Sequence, residues 1–422
     1  MRVIIIGAGL GGLTLAHGLR TAGVEVAVYE RSPRNGPQPA SYGIHINAHG
    51  NRALHACLPA ENWAMFDVNS VSAPDVVRFR DRNLEVLTDL QLATSADDAD
   101  PISHRRAVRR QALHRSLCFG LEEVIGWDKT FESYTGEPDG RVRVTFADGS
   151  QTGGDLLVGA DGSNSRVRQQ YLPALARHDL GILNVAGRLP LSHAAAQAMP
   201  GDMVDGSVNN IVPKGPGWLF ASTWPASIRQ IGTGVEHGAP GEDFLVWAHA
   251  LNRDAYPSDI DQFSAEALRR WVAERVAGWD PRVAAIIRAS DPATIGRVPL
   301  RSMSRLPSWR PSNVTVLGDA IHNMTPMAGI GANTALRDAD NLRMALTNAG
   351  GETVSDRVGR YEAQMREYAN VALALSTRNA RNAASPRRLP RIAFRALLRA
   401  ADALPPVKRA VFPTAKITAK AS

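Results

Sequence analysis

The sequence predicts an α/β fold in which a parallel sheet with a nucleotide-type turn is interleaved with an antiparallel sheet and followed by C-terminal helices. Three observations predict it. Residues 2–6, RVIII, are an apolar run that leads straight into a glycine-rich turn, GAGLGG, from Gly7 to Gly12. Two later apolar runs, LLVGA at 156–160 and VTVLG at 314–318, are each followed at once by an aspartate, Asp161 and Asp319. The stretch between them, 179–300, reads as strands of an antiparallel sheet and then one or two amphipathic helices.

The first element is a strand suited to the buried centre of a parallel sheet. The helix after it, LTLAHGLRTAG, ends at Gly23, and VEVAVYE at 24–30 is the next strand. This β-α-β setting makes the spacing Gly7, Gly9, Gly12 a Rossmann-like dinucleotide turn. Gly7 permits the tight turn, Gly9 lets a pyrophosphate approach the backbone, and Gly12 lets helix and strand pack closely. Glu30 ends the second strand, where an acid can bond both hydroxyls of an adenosine ribose. That suits FAD or NAD and disfavours a 2′-phosphate.

Composition narrows the function classes. Of 422 residues, 44% are hydrophobic, enough to close a core. The net charge of +7 suggests nucleic acid until its distribution is read. From Val371 to Ser422 there are eleven Lys and Arg and one acid, Asp402, which leaves 37 basic and 40 acidic residues elsewhere. The basicity belongs to a tail, and no nucleic-acid partner is expected. Cys57 and Cys118 are far apart, so neither a disulfide framework nor a thiolate metal site is expected, and no metal. The apolar start could pass for a signal peptide, but its glycines break the helix such a segment needs. The expected location is cytoplasmic.

These motifs, with VRRQAL at 108–113, resemble in order and spacing the single-component (class A) FAD-dependent aromatic hydroxylases, flavoprotein monooxygenases like p-hydroxybenzoate hydroxylase. The resemblance spans most of the first 345 residues. It implies that Gly7, Gly9, Gly12, Glu30 and Arg31 serve the ADP half of FAD. It assigns Arg110 to FAD contact, Asp161 and Gly162 to FAD and the nicotinamide nucleotide together, and Asp319 to the ribityl hydroxyls. Pro326, Met327, Gly329, Gly331, Ala332 and Asn333 fall beside the isoalloxazine ring, with Pro326 and Met327 toward the substrate. A helix start at Gly329 to Asn333 has a physical rationale, since free N–H groups stabilise negative charge on reduced flavin.

The implied organisation is a discontinuous FAD-binding domain of residues 1–73, 102–178 and 297–345, a substrate-binding domain of 74–101 and 179–296, and a C-terminal helical segment with a basic tail, 346–422. The expected strands of the substrate domain are LGILNVAGRLPLS, NNIVPKGPGWLFASTWP and IRQIGTGVEH, with TSADDADP as a loop. The substrate is expected between that sheet and the flavin. Trp218, Phe220 and Trp224 are candidates for an aromatic wall or for ordinary core. His45 and Asn47 alternate on an extended stretch and are candidates to face flavin or substrate, His45 also as a catalytic group. His322 reads as a packing and capping residue.

The activity implied is NAD(P)H- and O2-dependent insertion of one oxygen atom into an aromatic or polycyclic small molecule, a natural product of secondary metabolism, through a flavin C4a-hydroperoxide. The alternatives are an FAD-dependent dehydrogenase or oxidase on the same core, or a non-enzymatic FAD-binding protein. Near the C-terminus Arg387, Arg391, Arg395 and Arg399 recur every four residues opposite Ile392, Leu397, Leu398 and Leu404, a basic amphipathic helix stopped by Pro405-Pro406. It is expected to cover the body of the protein, with membrane-surface contact as the alternative.

Overall fold

The computed structural model describes residues 1–34, 43–91, 100–224, 243–348, 350–404, 406–408 and 412. The chain forms two compact units. One comprises Met1–Asn69, Arg110–His178 and Arg301–Thr377, the other Ser70–Arg109, Asp179–Leu300 and Arg378–Ser422.

The first unit is built on a five-stranded parallel sheet ordered Val314–Val316, Leu156–Gly159, Arg2–Ile6, Glu25–Tyr29, Ile125–Gly126. Ile5 lies opposite Val158 on one side and Val28 on the other, and all three are fully buried. Burial on both faces explains why these strands read as unbroken apolar runs. Parallel register also sets all their carboxyl ends along one edge, where the Gly7, Asp161 and Gly318 turns emerge. A separate antiparallel sheet, Phe131–Gly136, Val142–Phe146 and Gln151–Gly154, has no counterpart among the expected elements.

The second unit is a seven-stranded sheet ordered Gly296–Met303, Arg177–Pro190, Phe244–Asn252, Trp218–Trp224, Val208–Ile211, Val76–Arg80, Val86–Gln91. Alternation divides its side chains cleanly. Leu183, Val185, Leu189, Leu219, Leu245 and Trp247 share a core with the helices Ala265–Arg275 and Pro281–Ala289. Trp218, Phe220, Trp224 and Phe244 belong to the opposite face, since Trp218 stands across from Ala250, Phe220 from Ala248 and Trp224 from Phe244. The Phe244–Asn252 strand, which pairs on both sides, was not among the expected strands. IRQIGTGVEH, residues 94–99 of the TSADDADP loop, Ser41, Tyr42 and Pro405 lie outside the described residues.

The C-terminal helical segment expected from residue 346 is not a third body, because it is divided between the two units. The long helix Val354–Ala384 contributes Tyr361, Glu362 and Tyr368 to the first unit, where the Tyr361 hydroxyl donates to the Val316 carbonyl at 3.1 Å. The next helix, Arg388–Ala403, belongs to the second unit; Leu398 is buried and Arg387 and Arg399 are exposed as expected, but the rest of its polarity is opposite to expectation. Arg391 and Arg395 are 5% exposed, whereas Leu389 is 80%, Ile392 45%, Leu397 37% and Leu404 53% exposed. The reason is hydrogen bonding. Arg391 donates to the carbonyls of Gly217 (2.8 Å), Ala383 (3.0 Å) and Ser385 (2.7 Å), and Arg395 donates to the Val212 carbonyl and to Asp81 (3.4 Å). A buried guanidinium with such partners is tolerated.

Glu362 is fully buried in the first unit, accepting from the Thr315 hydroxyl (2.8 Å) and the Tyr171 hydroxyl (3.3 Å). Burial pushes its carboxyl up to about 7, against those hydrogen bonds. Because the folded pKa lies above the unfolded one, its contribution is complete below pH 4.5 and is lost as pH rises through 7. Glu362→Gln should therefore flatten the stability profile across that window and gain up to about 3 kcal/mol at pH 8. Urea unfolding of both proteins at pH 5 and pH 8 checks this, and equal slopes in the two would refute it.

Candidate functional site: a dinucleotide cradle and an aromatic sheet face

The first turn is shaped by what its glycines exclude. Gly7 has φ +110°, and a Cβ there would sit 2.4 Å from the Ala160 carbonyl oxygen. A Cβ on Gly12 would sit 2.3 Å from the Gly7 oxygen, so the turn closes only without side chains. At Gly9 the nearest atom to such a Cβ is 3.9 Å away, which leaves that face open. The helix Leu10–Thr21 starts here with no side-chain cap and no acid in its first turn, so its N–H groups are available to an anion.

Around the turn, Glu30 accepts from the Ala8 N–H and the Ser32 N–H, both at 2.9 Å. Its carboxylate is thus fixed beside the turn with acceptor capacity left for ribose hydroxyls. Arg31 is exposed next to it. Arg110 is exposed at the start of the helix Arg110–Cys118. Four residues on, His114 donates from Nε2 to the Ala8 carbonyl at 2.8 Å. Burial pushes the His114 pKa down, which favours the neutral ring with that N–H. Sequence reasoning missed His114. The available signal was its i, i+4 spacing from Arg110 on one helix face.

Asp161 follows the second strand of this edge. Its Oδ2 accepts from the Arg166 N–H at 2.8 Å, while Oδ1 is buried with no partner among the described residues. Burial raises its pKa. Gly162 beside it has φ +77° and nothing near its Cβ position. Arg168 of the following helix donates to the Ala320 carbonyl at 3.0 Å and so ties this turn to the next one.

That next turn depends on Gly318, whose φ of 62° and ψ of −143° are open only to glycine. Its N–H donates to Asp338 Oδ2 at 2.7 Å. The same oxygen accepts from His322 Nε2 at 2.6 Å, and the other carboxylate oxygen accepts from the Tyr368 hydroxyl at 2.6 Å. Asp338 and His322 are both 0% exposed. Burial alone would lower the His322 pKa, but the charge and hydrogen bond of Asp338 outweigh it and raise it. With both ends of the turn anchored, Asp319 is left exposed, its carboxylate free of hydrogen bonds from the described residues.

Beyond it, Pro326 is exposed, Met327 is half-buried, and Gly329 takes φ +65°. The helix Gly331–Thr347 then begins with neither a side-chain cap nor an acid in its first turn, with Ala332 half-buried at its second position. Asn333 uses its side chain internally: Nδ2 donates to the His45 carbonyl (2.9 Å) and Oδ1 accepts from the Asn47 N–H (2.8 Å). Asn47 in turn caps the helix Ala48–Cys57, accepting from the Gly50 N–H at 3.1 Å. These two amides therefore hold the Gly43–Ile46 strand, with half-buried His45, against the helix start. Only the Asn333 backbone N–H is then available to a ligand.

The fit to FAD rests on these features together. An open-faced glycine turn, two uncapped helix N-termini, a buried Asp161 oxygen lacking a donor and an exposed Asp319 match a molecule with a pyrophosphate, polyhydroxyl chain and anionic ring. Among the described residues no group of His, Cys, Asp or Glu could hold a metal ion.

The other face of the second unit's sheet is aromatic and largely buried: Trp224 and Phe244 cluster with Ala73, Ala107 and Val246, Phe220 packs against them, and Trp218 is 8% exposed. Trp218 donates from Nε1 to Asn210 at 2.9 Å and stacks on Phe394 with centroids 6.2 Å apart. Phe220 and Trp224 pack 6.2 Å apart, and Trp224 stacks on Phe244 at 6.4 Å. The guanidiniums of Arg109 and Arg188 lie 5.2 and 5.3 Å from the Phe244 centroid. The three aromatics singled out from sequence thus share the sheet face that the two core helices do not cover.

The parallel sheet, its glycine turn and the cradle along its edge define a dinucleotide-binding flavoprotein. Residues 5–67 match the family description "NAD(P)-binding Rossmann-like domain" and residues 255–376 match "FAD binding domain". A solved structure from Photorhabdus luminescens subsp. laumondii, titled as a FAD containing monooxygenase, is 43% identical, with a TM-score of 0.81 over 91% of this chain and 98% of that one. The chain belongs to the family of FAD-dependent monooxygenases. Among curated relatives, the dual O-methyltransferase/FAD-dependent monooxygenase CTB3 of Cercospora beticola is 27% identical over 87% of this chain. This chain spans only 44% of that relative's length. The 6-hydroxynicotinate 3-monooxygenase of Pseudomonas fluorescens is 27% identical over 90% of this chain and 91% of its own.

Proposed function

We propose that the protein is an NAD(P)H- and O2-dependent monooxygenase that inserts one oxygen atom into an aromatic or polycyclic small molecule, a natural product. The observation that carries this reading is the aromatic sheet face of Trp218, Phe220, Trp224 and Phe244, present in a chain whose other unit is an FAD cradle. The names of relatives that act on aromatic compounds, such as 6-hydroxynicotinate, support it.

When bound, FAD supplies electron transfer from NAD(P)H and the activation of O2. The chain's own residues have other tasks. The Gly7–Gly12 turn and the Leu10 helix start hold the pyrophosphate by backbone N–H groups, and Glu30 accepts from the ribose hydroxyls. Asp319 accepts from the ribityl hydroxyls. The N–H groups opening the Gly331 helix would favour negative charge on the bound ring. The aromatic face orients a flat substrate through its π-surface and excludes water from it. His45 is the proposed proton acceptor for a phenolic or N–H substrate, held at its backbone by Asn333.

The test is NADPH and NADH oxidation in air by the FAD-loaded protein across phenols, indoles, quinolones, pyridines and polycyclic aromatics, with product masses. Stimulated oxidation with gain of one oxygen atom is the expected result. If no compound gains oxygen while an artificial dye drains electrons from the reduced flavin, the protein is a dehydrogenase instead.

A further inference from the structure

We propose that the helix Arg388–Ala403 docks the protein onto a membrane surface containing anionic lipid. The observation is the partly inverted polarity of this helix, which buries Arg391 and Arg395 together with Leu398 and Ala401. Its two central arginines point into the second unit, and the side it leaves outside is apolar. At about 100° per residue, Ile392, Ala403, Ala396, Leu389, Ala400, Ala393, Leu404 and Leu397 fall within an arc of about 140° that contains no charged residue. The large members of that arc, Leu389, Ile392, Leu397 and Leu404, are between 37% and 80% exposed.

Exposed apolar side chains scattered singly need no explanation, but four on one helical stripe do. The occupant is indicated by charge. Arg388 and Arg399 are exposed and fall on the helical wheel beside Ile392, at the edge of the apolar arc. Arg387 precedes the helix, Lys408 follows it, and Asp402 is the one acid from Val371 to Ser422. Apolar residues flanked by cations that can reach outward are the arrangement of an interfacial helix, the apolar side entering the acyl boundary and the cations meeting phosphate headgroups. No helix among the described residues is long and apolar enough to cross a membrane, so the contact is one of lying on the surface. The hydrogen bonds of Arg391 and Arg395 hold the helix to the second unit and keep the stripe turned outward.

The same helix places Phe394 against Trp218 and Phe79, at one end of the aromatic face. A membrane-docked helix would therefore put that face near lipid, which suits an apolar substrate drawn from the bilayer.

The experiment is flotation of the full-length FAD-loaded protein with vesicles of phosphatidylcholine alone or with about one-third phosphatidylglycerol. Preferential flotation with the anionic vesicles, reduced by salt, is expected. The double variant Leu389→Glu/Ile392→Glu should lower partitioning at least tenfold, and Arg388→Ser/Arg399→Ser should lower it and weaken the salt dependence. Flavin absorbance and melting temperature show that these surface variants remain folded. Absence of flotation with anionic vesicles overturns the proposal. So does a dimer that Leu389→Glu/Ile392→Glu converts to monomer with unchanged vesicle binding, which would assign the stripe to a second copy of the chain.

Discussion

Asp338→Ala is expected to cost the FAD-binding unit about 3–5 kcal/mol, because it leaves a buried histidine and two further donors without their acceptor. The three donors are the Gly318 N–H, His322 Nε2 and the Tyr368 hydroxyl, each within 2.7 Å of the carboxylate. In a unit of this size the melting temperature should fall on the order of 10 °C. FAD affinity should fall with it, since the Gly318 N–H holds the turn that presents Asp319. Loss of affinity without loss of stability would show that Asp338 acts on the ligand directly and not through the turn. A pH signature accompanies the effect. The folded pKa of His322 is raised, so its share of stability is complete below 6.5 and lost as pH rises through the folded value. Asp338→Ala should abolish that slope, which begins near the upper edge of the Glu362 window and so can be told from it.

Gly12→Ala should abolish FAD binding with little change in how far the remainder of the chain folds. The added methyl would stand 2.3 Å from the Gly7 carbonyl oxygen, 3.2 Å from the Ala160 Cβ and 3.3 Å from Ile5 Cγ2. None of these is the mobile end of a long side chain, so the turn must open to admit it. An opening of this kind displaces the N–H groups of the Leu10 helix start from the pyrophosphate. We expect at least a hundredfold rise in the FAD dissociation constant, read by flavin fluorescence titration, with far-ultraviolet circular dichroism close to wild type. Retention of wild-type affinity would mean that the pyrophosphate is held elsewhere. The open-faced Gly9 is the internal control, because Gly9→Ala meets no protein atom closer than 3.9 Å and can weaken binding only by contact with the ligand.

Much of the first unit was legible because its determinants are local. The Arg2–Ile6 run, the glycine spacing and the strand-end aspartates each express a constraint satisfied within a dozen residues. The same is true of the uncapped start at Gly331. What was not legible involves partners distant in the chain. His114 meets Ala8 across 106 positions, and Asn333 meets His45 and Asn47 across more than 280. From sequence, Asn47 and Asn333 read as ligand-facing, because an exposed amide and one that spans two segments look alike until the segments are adjacent. The tail helix shows the same limit. Its periodicity was clear, but arginines are ordinarily outside, and only the carbonyls of Val212, Gly217, Ala383 and Ser385 reverse that rule.

By itself the sequence determined a parallel sheet with a dinucleotide turn and a basic amphipathic tail, because short-range sterics and periodicity specify each, while the discontinuous FAD-type cradle was implied by the family resemblance. Only the tertiary structure decided which amides and histidines stay available to a ligand and which face of the last helix meets solvent. The reason is that a polar group's role depends on whether distant segments bring it a hydrogen-bond partner, and that pairing exists only after the chain has packed.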